Sequence, residues 1–176
     1  NGSLKDILAK AKSSLPNDKW TPTKKYITLL GIAHSMSYLH ENHFVHGDLK
    51  PSNILYDSNF YPHISDYNLT SCFEKVYSNY LTSIQTDQFN SSINYVAPEL
   101  LKDIANYGPG IDVYSFGVIA YEILTAQTAY SELSDVASPG DYLNMIRSGY
   151  RPAMTDKIGG KMAKLISKCW NEKVDE

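Results

Sequence analysis

The run Asp112-Val113-Tyr114-Ser115-Phe116-Gly117-Val118-Ile119-Ala120-Tyr121-Glu122-Ile123-Leu124 constrains the fold more than any other stretch. It has helical length, and apolar side chains would stand on nearly every side of the helix. Such a helix has no face to give to water, so it belongs inside the molecule. The predicted fold is mainly α, and 43% apolar residues in a chain of 176 are enough for a real core.

Other segments carry helical signals of a one-sided kind. Ser3 to Lys12 offers a cap, with Asp6 three positions after Ser3 and Leu4, Ile7, Leu8 and Ala11 on one face. A polar link with Pro16 follows. Thr21-Pro22 then supplies a cap and a first-turn proline for a long helix, whose expected inward stripe is Tyr26, Leu29, Leu30, Ala33, Met36, Ser37 and His40. Leu100 to Ala105 reads as a short helix. Tyr142, Leu143, Met145 and Ile146 mark another, stopped by Gly149 and Pro152. A last helix runs from about Gly160 to Asn171, with Met162, Leu165, Ile166, Cys169 and Trp170 inward. The β signal is small: Asp57-Ser58-Asn59 turns between the short runs Ile54 to Tyr56 and Pro62 to Ile64, which predicts a hairpin.

Chemistry concentrates just before that hairpin, in His46-Gly47-Asp48-Leu49-Lys50-Pro51-Ser52-Asn53. An acid, a base and an amide within eight residues suit phosphoryl transfer, where the protein positions a hydroxyl and neutralises charge. Asp48 could accept the proton of the attacking hydroxyl and Lys50 could face the negative transferring group. Asn53 could give a neutral oxygen to Mg2+. At the far end of the hairpin Asp66 can return toward Asp48. A rival reading is zinc on His40, His43 and His46, spaced by three; it lacks a thiolate or carboxylate to complete the ligand set, since Cys72 and Cys169 are far away.

The loop resembles the catalytic loop of protein kinases, H-R-D-x-K-P-x-N in the Ser/Thr-directed branch, with Gly47 in the Arg position. Gly31-Ile32-Ala33-His34-Ser35-Met36-Ser37-Tyr38-Leu39-His40 resembles a helix common in tyrosine-kinase-like protein kinases. Asp66-Tyr67-Asn68 stands where kinases carry D-F-G, and Ser92-Ile93-Asn94-Tyr95-Val96-Ala97-Pro98-Glu99 resembles T-x-x-Y-x-A-P-E. The run from Asp112 resembles the central helix of the kinase C-terminal lobe, in which Asp112 would bond to the catalytic-loop backbone; a plain helix cap is the equal alternative. Cys169-Trp170 matches late kinase helices.

The resemblance spans residues 1–176 and implies a partial protein kinase domain: a C-terminal lobe with a small β-hairpin carrying the catalytic loop. It implies ATP-dependent transfer of the γ-phosphate to Ser/Thr hydroxyls, in the tyrosine-kinase-like group. Asp48 and Lys50 would be catalytic. Lys50, Asn53, Leu55 and Asp66 would bind the cofactors ATP and Mg2+, with Asn53 and Asp66 on the metal and Leu55 beneath the adenine. The hydroxyl-rich stretch between Leu69 and Ser92 would be the activation segment, and Gly47 implies little dependence on its phosphorylation. Glu99 would lack its usual arginine partner.

The Gly-rich phosphate loop and strand lysine of kinases have no counterpart here, so the N-lobe of the same protein is the expected missing partner, and these residues alone are expected to be inactive. The alternative is a pseudokinase scaffold that binds partners without phosphotransfer. Net charge −3 offers no basic field for nucleic acid, no apolar run is long enough for a membrane segment, and two distant cysteines fit a reduced, cytoplasmic setting. A protein substrate is the expected partner, and the sequons at Asn68 and Asn90 read as chance.

Overall fold

The computed structural model describes residues 2–13, 18–67, 91–103, 106–134 and 138–171. Helix α1 (Leu4–Lys12) starts where the sequence places it. The Ser3 hydroxyl accepts from the Asp6 N–H at 3.3 Å, and the Asp6 carboxylate accepts from the Ser3 N–H at 2.9 Å. This reciprocal pair satisfies two donors that a helix start leaves open. Helix α2 (Pro22–Glu41) begins with the Thr21 hydroxyl accepting from the Lys24 N–H. There follow the 3-10 turn η1 (Pro51–Asn53), strands β1 (Ile54–Tyr56) and β2 (Pro62–Ile64), and a second turn η2 (Ser91–Tyr95). Helices α3 (Pro98–Lys102), α4 (Pro109–Thr125), α5 (Ser131–Ser134), α6 (Pro139–Arg147) and α7 (Gly160–Cys169) complete the order.

Helix α4 is the predicted central helix, and it buries residues on all sides. Helices α2 and α7 and turn η2 pack against it, and α3 packs on α6. Because α4 cannot turn a polar face to water, its polar groups find partners inside. Ser115 donates to the Ile111 and Tyr95 carbonyls at 2.9 and 2.7 Å, and the Tyr114 and Tyr130 hydroxyls share a 2.8 Å bond. Glu122, 1% exposed, accepts from the Ala129 N–H at 2.9 Å and the Tyr95 hydroxyl at 2.8 Å. Burial pushes its carboxyl above the usual range, against the pull of those two bonds.

The hairpin has the predicted strands, with Ile54 opposite Ile64, Leu55 opposite His63 and Tyr56 opposite Pro62. Its turn is held by Asp57, whose carboxylate accepts from the Asn59 and Tyr61 N–H groups, each at 2.9 Å. Trp20 and Phe60 meet Tyr56 edge-on and stacked respectively, and the Tyr56 hydroxyl bonds buried Thr28 of α2 at 2.8 Å. Burial pushes that phenol up to about 12.

Two expectations about helix faces are corrected. The inward stripe of α2 is Thr28, Leu29, Ile32, Met36 and Leu39, whereas Leu30 is 71% exposed and Tyr26, Ala33 and Ser37 are also outside. Apolar residues stand on both sides of α2, so spacing alone does not choose the face. Burial of Thr28, satisfied by Tyr56, rotates the helix away from the expected stripe. On α7, Leu165 is exposed while Ile166, Cys169 and Trp170 are buried. Helix α5 carries no periodic signal of its own. Pro16, Asn68, Cys72, Asn90, Ala105 and the stretch between Leu69 and Asn90 lie outside the described residues.

Close approach of α4 and α7 depends on Gly117. A Cβ there would stand 2.7 Å from Cys169 Cβ and 2.9 Å from the Trp170 ring. Gly117→Val is expected to destabilise the fold by about 1–3 kcal/mol through overpacking, read as a lower urea midpoint with an unchanged slope.

Candidate active site

The loop after α2 is anchored from α4. Asp112 is 1% exposed, and its Oδ2 accepts from the His46 N–H at 2.8 Å and from His40 Nε2 at 2.9 Å. Its Oδ1 accepts from the Gly47 N–H at 2.9 Å. The N-cap position of α4 is Gly108, not Asp112. Of the two roles open for Asp112 in the sequence, the structure thus shows the bond to the loop backbone.

His46 forms the second anchor. Its Nε2 faces the Ser65 carbonyl at 3.1 Å and must donate there, while its Nδ1 faces the Asp48 N–H at 3.3 Å and must accept. These partners fix the Nε2–H tautomer and tie the loop to the residue before Asp66. His40 and His46 therefore serve Asp112 and the loop, and His43 is exposed, with a positive φ of 63°.

With both ends held, the chemical groups converge. Lys50 Nζ lies 2.6 Å from Asp48 Oδ2, and the Asn53 amide nitrogen donates to the Asp48 carbonyl at 2.9 Å and to Oδ2 at 3.2 Å. Asn53 follows Pro51 and Ser52 in the η1 turn, so the chain doubles back onto Asp48. With its nitrogen turned to Asp48, Asn53 presents its oxygen, which accepts from the Ser52 hydroxyl at 3.3 Å.

Asp66 is delivered by the hairpin. The Ser65 N–H donates to the Asn53 carbonyl at 2.9 Å, extending the strand pairing by one residue, and Asp66 follows directly. Asp66 is exposed, has φ of 60°, and accepts from the Ser65 hydroxyl at 3.2 Å. An amide oxygen and a carboxylate are each hard donors of the kind Mg2+ prefers. Leu55, 44% exposed between buried Ile54 and Tyr56, offers an apolar surface on β1.

Three features escaped sequence reasoning. His40 was expected in a core stripe and instead bonds Asp112. Tyr107 reaches over Gly47: its hydroxyl donates to the Val45 carbonyl at 3.4 Å and stands 2.7 Å from where a Gly47 Cβ would be. The backbone carbonyl of Glu99 accepts from the Asn106 side-chain amide at 3.0 Å. None of these contacts leaves a periodic trace, since each joins residues from different elements.

The family described as protein tyrosine and serine/threonine kinase matches residues 1–176. A protein kinase and PP2C-like domain-containing protein of Arabidopsis thaliana is 31% identical, covering 87% of this chain and 27% of that protein. RGS domain-containing serine/threonine-protein kinase A of Dictyostelium discoideum is 33% identical, covering 82% of the chain and 12% of its own length. A receptor-like protein kinase of Ipomoea nil is 37% identical, over 73% of the chain and 11% of the relative. The chain thus spans a minor part of the curated relatives it matches.

Asp112→Ala would leave one buried and one half-buried loop N–H group without an acceptor, the buried one at about 1–3 kcal/mol; a lower urea midpoint and faster amide exchange at His46 and Gly47 are expected. Gly47→Ala combines a φ of 77° with the Tyr107 clash. It should cost about 1–3 kcal/mol, and adding Tyr107→Phe should recover part of that loss in a double-mutant cycle. Equal losses with and without Tyr107→Phe would show that the hydroxyl exerts no pressure on the loop.

Proposed function

Because the chain belongs to the protein tyrosine and serine/threonine kinase family, we propose that residues 1–176 form the C-terminal lobe of an ATP-dependent protein serine/threonine kinase of the tyrosine-kinase-like group. The observation that carries this reading is the convergence of Lys50 and Asn53 on one oxygen of Asp48. Oδ2 is occupied by those two donors, which orients the carboxylate and leaves Oδ1 to accept the proton of a substrate hydroxyl. Ser/Thr kinase names among the relatives support the choice of substrate hydroxyl, as does Lys50.

The lysine has a second task. Its ammonium sits beside the carboxylate at the point where negative charge on the transferred group must be balanced. Asn53 and Asp66 would hold Mg2+, and bound Mg-ATP would supply the γ-phosphoryl group, with Leu55 beneath the adenine. His46 and Asp112 act through the backbone, keeping Asp48 and Asn53 in register without touching substrate. A protein substrate and the N-lobe of the same protein are the partners this reading requires; no helix among the described residues is long and apolar enough to cross a membrane.

In the full-length protein Asp48→Asn is expected to lower turnover by about two to four orders of magnitude with little change in nucleotide affinity. Asp66→Asn should instead raise the Mg2+ concentration needed for activity. Phosphate transfer from radiolabelled ATP to a protein substrate, measured over a Mg2+ series, tests both. Nucleotide binding with no transfer by the unaltered protein would replace the enzyme with a scaffold.

A further inference from the structure

Beside the Asp48–Lys50 pair lies a concavity of about 220 Å³ between α1, η1 and the inner end of α4. Three lysines line it: Lys5 and Lys12 from α1 and Lys50 from the loop. In a chain of net charge −3, this is a local reversal of sign.

Lys50 is paired with Asp48 at 2.6 Å, whereas the two lysines of α1 have no such partner among the described residues. Lys12 Nζ donates to the Thr128 hydroxyl at 2.6 Å, a neutral acceptor that fixes its position without cancelling its charge. Lys5 and Lys12 are exposed and form no ion pair among the described residues. The one carboxylate in the lining, Glu122, is buried with both oxygens already bonded, to Tyr95 and to Ala129. The side chains of Ser52, Ser92 and Thr128 stand around the rim.

We propose that this concavity is an anion subsite that receives an acidic or phosphorylated side chain of the protein substrate close to the hydroxyl being phosphorylated. The inference rests on the kinase reading for the identity of its ligand. Lys50 lines the concavity and also touches Asp48, so the subsite is one side chain away from the proposed base. An extended peptide advances about 3.3 Å per residue, which places the anionic residue within roughly three positions of the acceptor. A carboxylate or phosphate there meets the unpaired ammonium groups of Lys5 and Lys12, with Lys50, already paired to Asp48, on the inner side. An arginine in the same position meets like charge and is rejected, so the subsite discriminates by repulsion as well as attraction.

The test uses the full-length protein and fluorescein-labelled peptides sharing one serine acceptor, flanked by alanine, by aspartate and glutamate, by phosphoserine, or by arginine. Fluorescence anisotropy should show the aspartate and glutamate peptide, the phosphoserine peptide or both binding at least tenfold tighter than the alanine peptide, with the difference shrinking as salt is raised. Preference for the phosphoserine peptide alone identifies a phosphorylated ligand; preference for both identifies anionic charge as such. Lys5→Glu with Lys12→Glu should abolish the preference while leaving turnover of the alanine peptide within about twofold, since neither lysine has a role in transfer. The milder Lys5→Gln with Lys12→Gln should reduce it if the charge reversal disturbs folding.

Equal binding of all peptides, tighter binding of the arginine peptide, or a preference that survives both lysine variants overturns the proposal. Anion-selective binding without phosphate transfer would keep the subsite and refute the kinase reading; transfer without charge preference would do the reverse.

Discussion

The site depends on one buried carboxylate. Asp112 projects from the first turn of α4 and accepts two consecutive backbone N–H groups of the loop together with a histidine from α2. A buried anion is costly unless hydrogen bonds replace its hydration, so the loop cannot drift away without leaving that charge exposed to an apolar interior. The requirement runs in both directions. The loop keeps its shape because Asp112 needs donors, and α4 can carry Asp112 because the loop provides them.

From that anchor the order extends outward. His46, fixed by its own backbone bond to Asp112, reaches across to Ser65 and so couples the loop to the strand that delivers Asp66. The Asn53 carbonyl accepts from the backbone of the same serine. Asn53 and the residue that precedes Asp66 thus share a support only a few bonds long. The short hairpin is stiffened from behind by the stacked Tyr56 and Phe60 rings and by Thr28.

Much of this was legible in the residues because the signals are local. The capping pair Ser3 and Asp6, the turn at Asp57, the length of β1 and β2 and the burial of α4 all follow from short-range chemistry. The loop residues Asp48, Lys50 and Asn53 stand together as their spacing requires. What failed was orientation. On α2 both faces carry apolar residues, and the decision rested on Tyr56 meeting Thr28, a partner twenty-eight positions away. The same holds for His40 on Asp112 and for Tyr107 over Gly47: residue types reveal that a partner is needed, but only the folded chain reveals which one. The three lysines around the concavity were equally invisible as a group, since Lys5 and Lys12 are separated from Lys50 by the whole of α2.

The contact between Tyr107 and the backbone around Gly47 has a mechanical consequence. The segment that leads into α4 leans on the loop around Gly47 through the ring of Tyr107, which is 41% exposed. The position of that ring is therefore felt directly at the main chain from Val45 to Gly47, immediately before Asp48. Glycine makes this transmission short, because no side chain stands between the ring and the main chain to absorb the displacement.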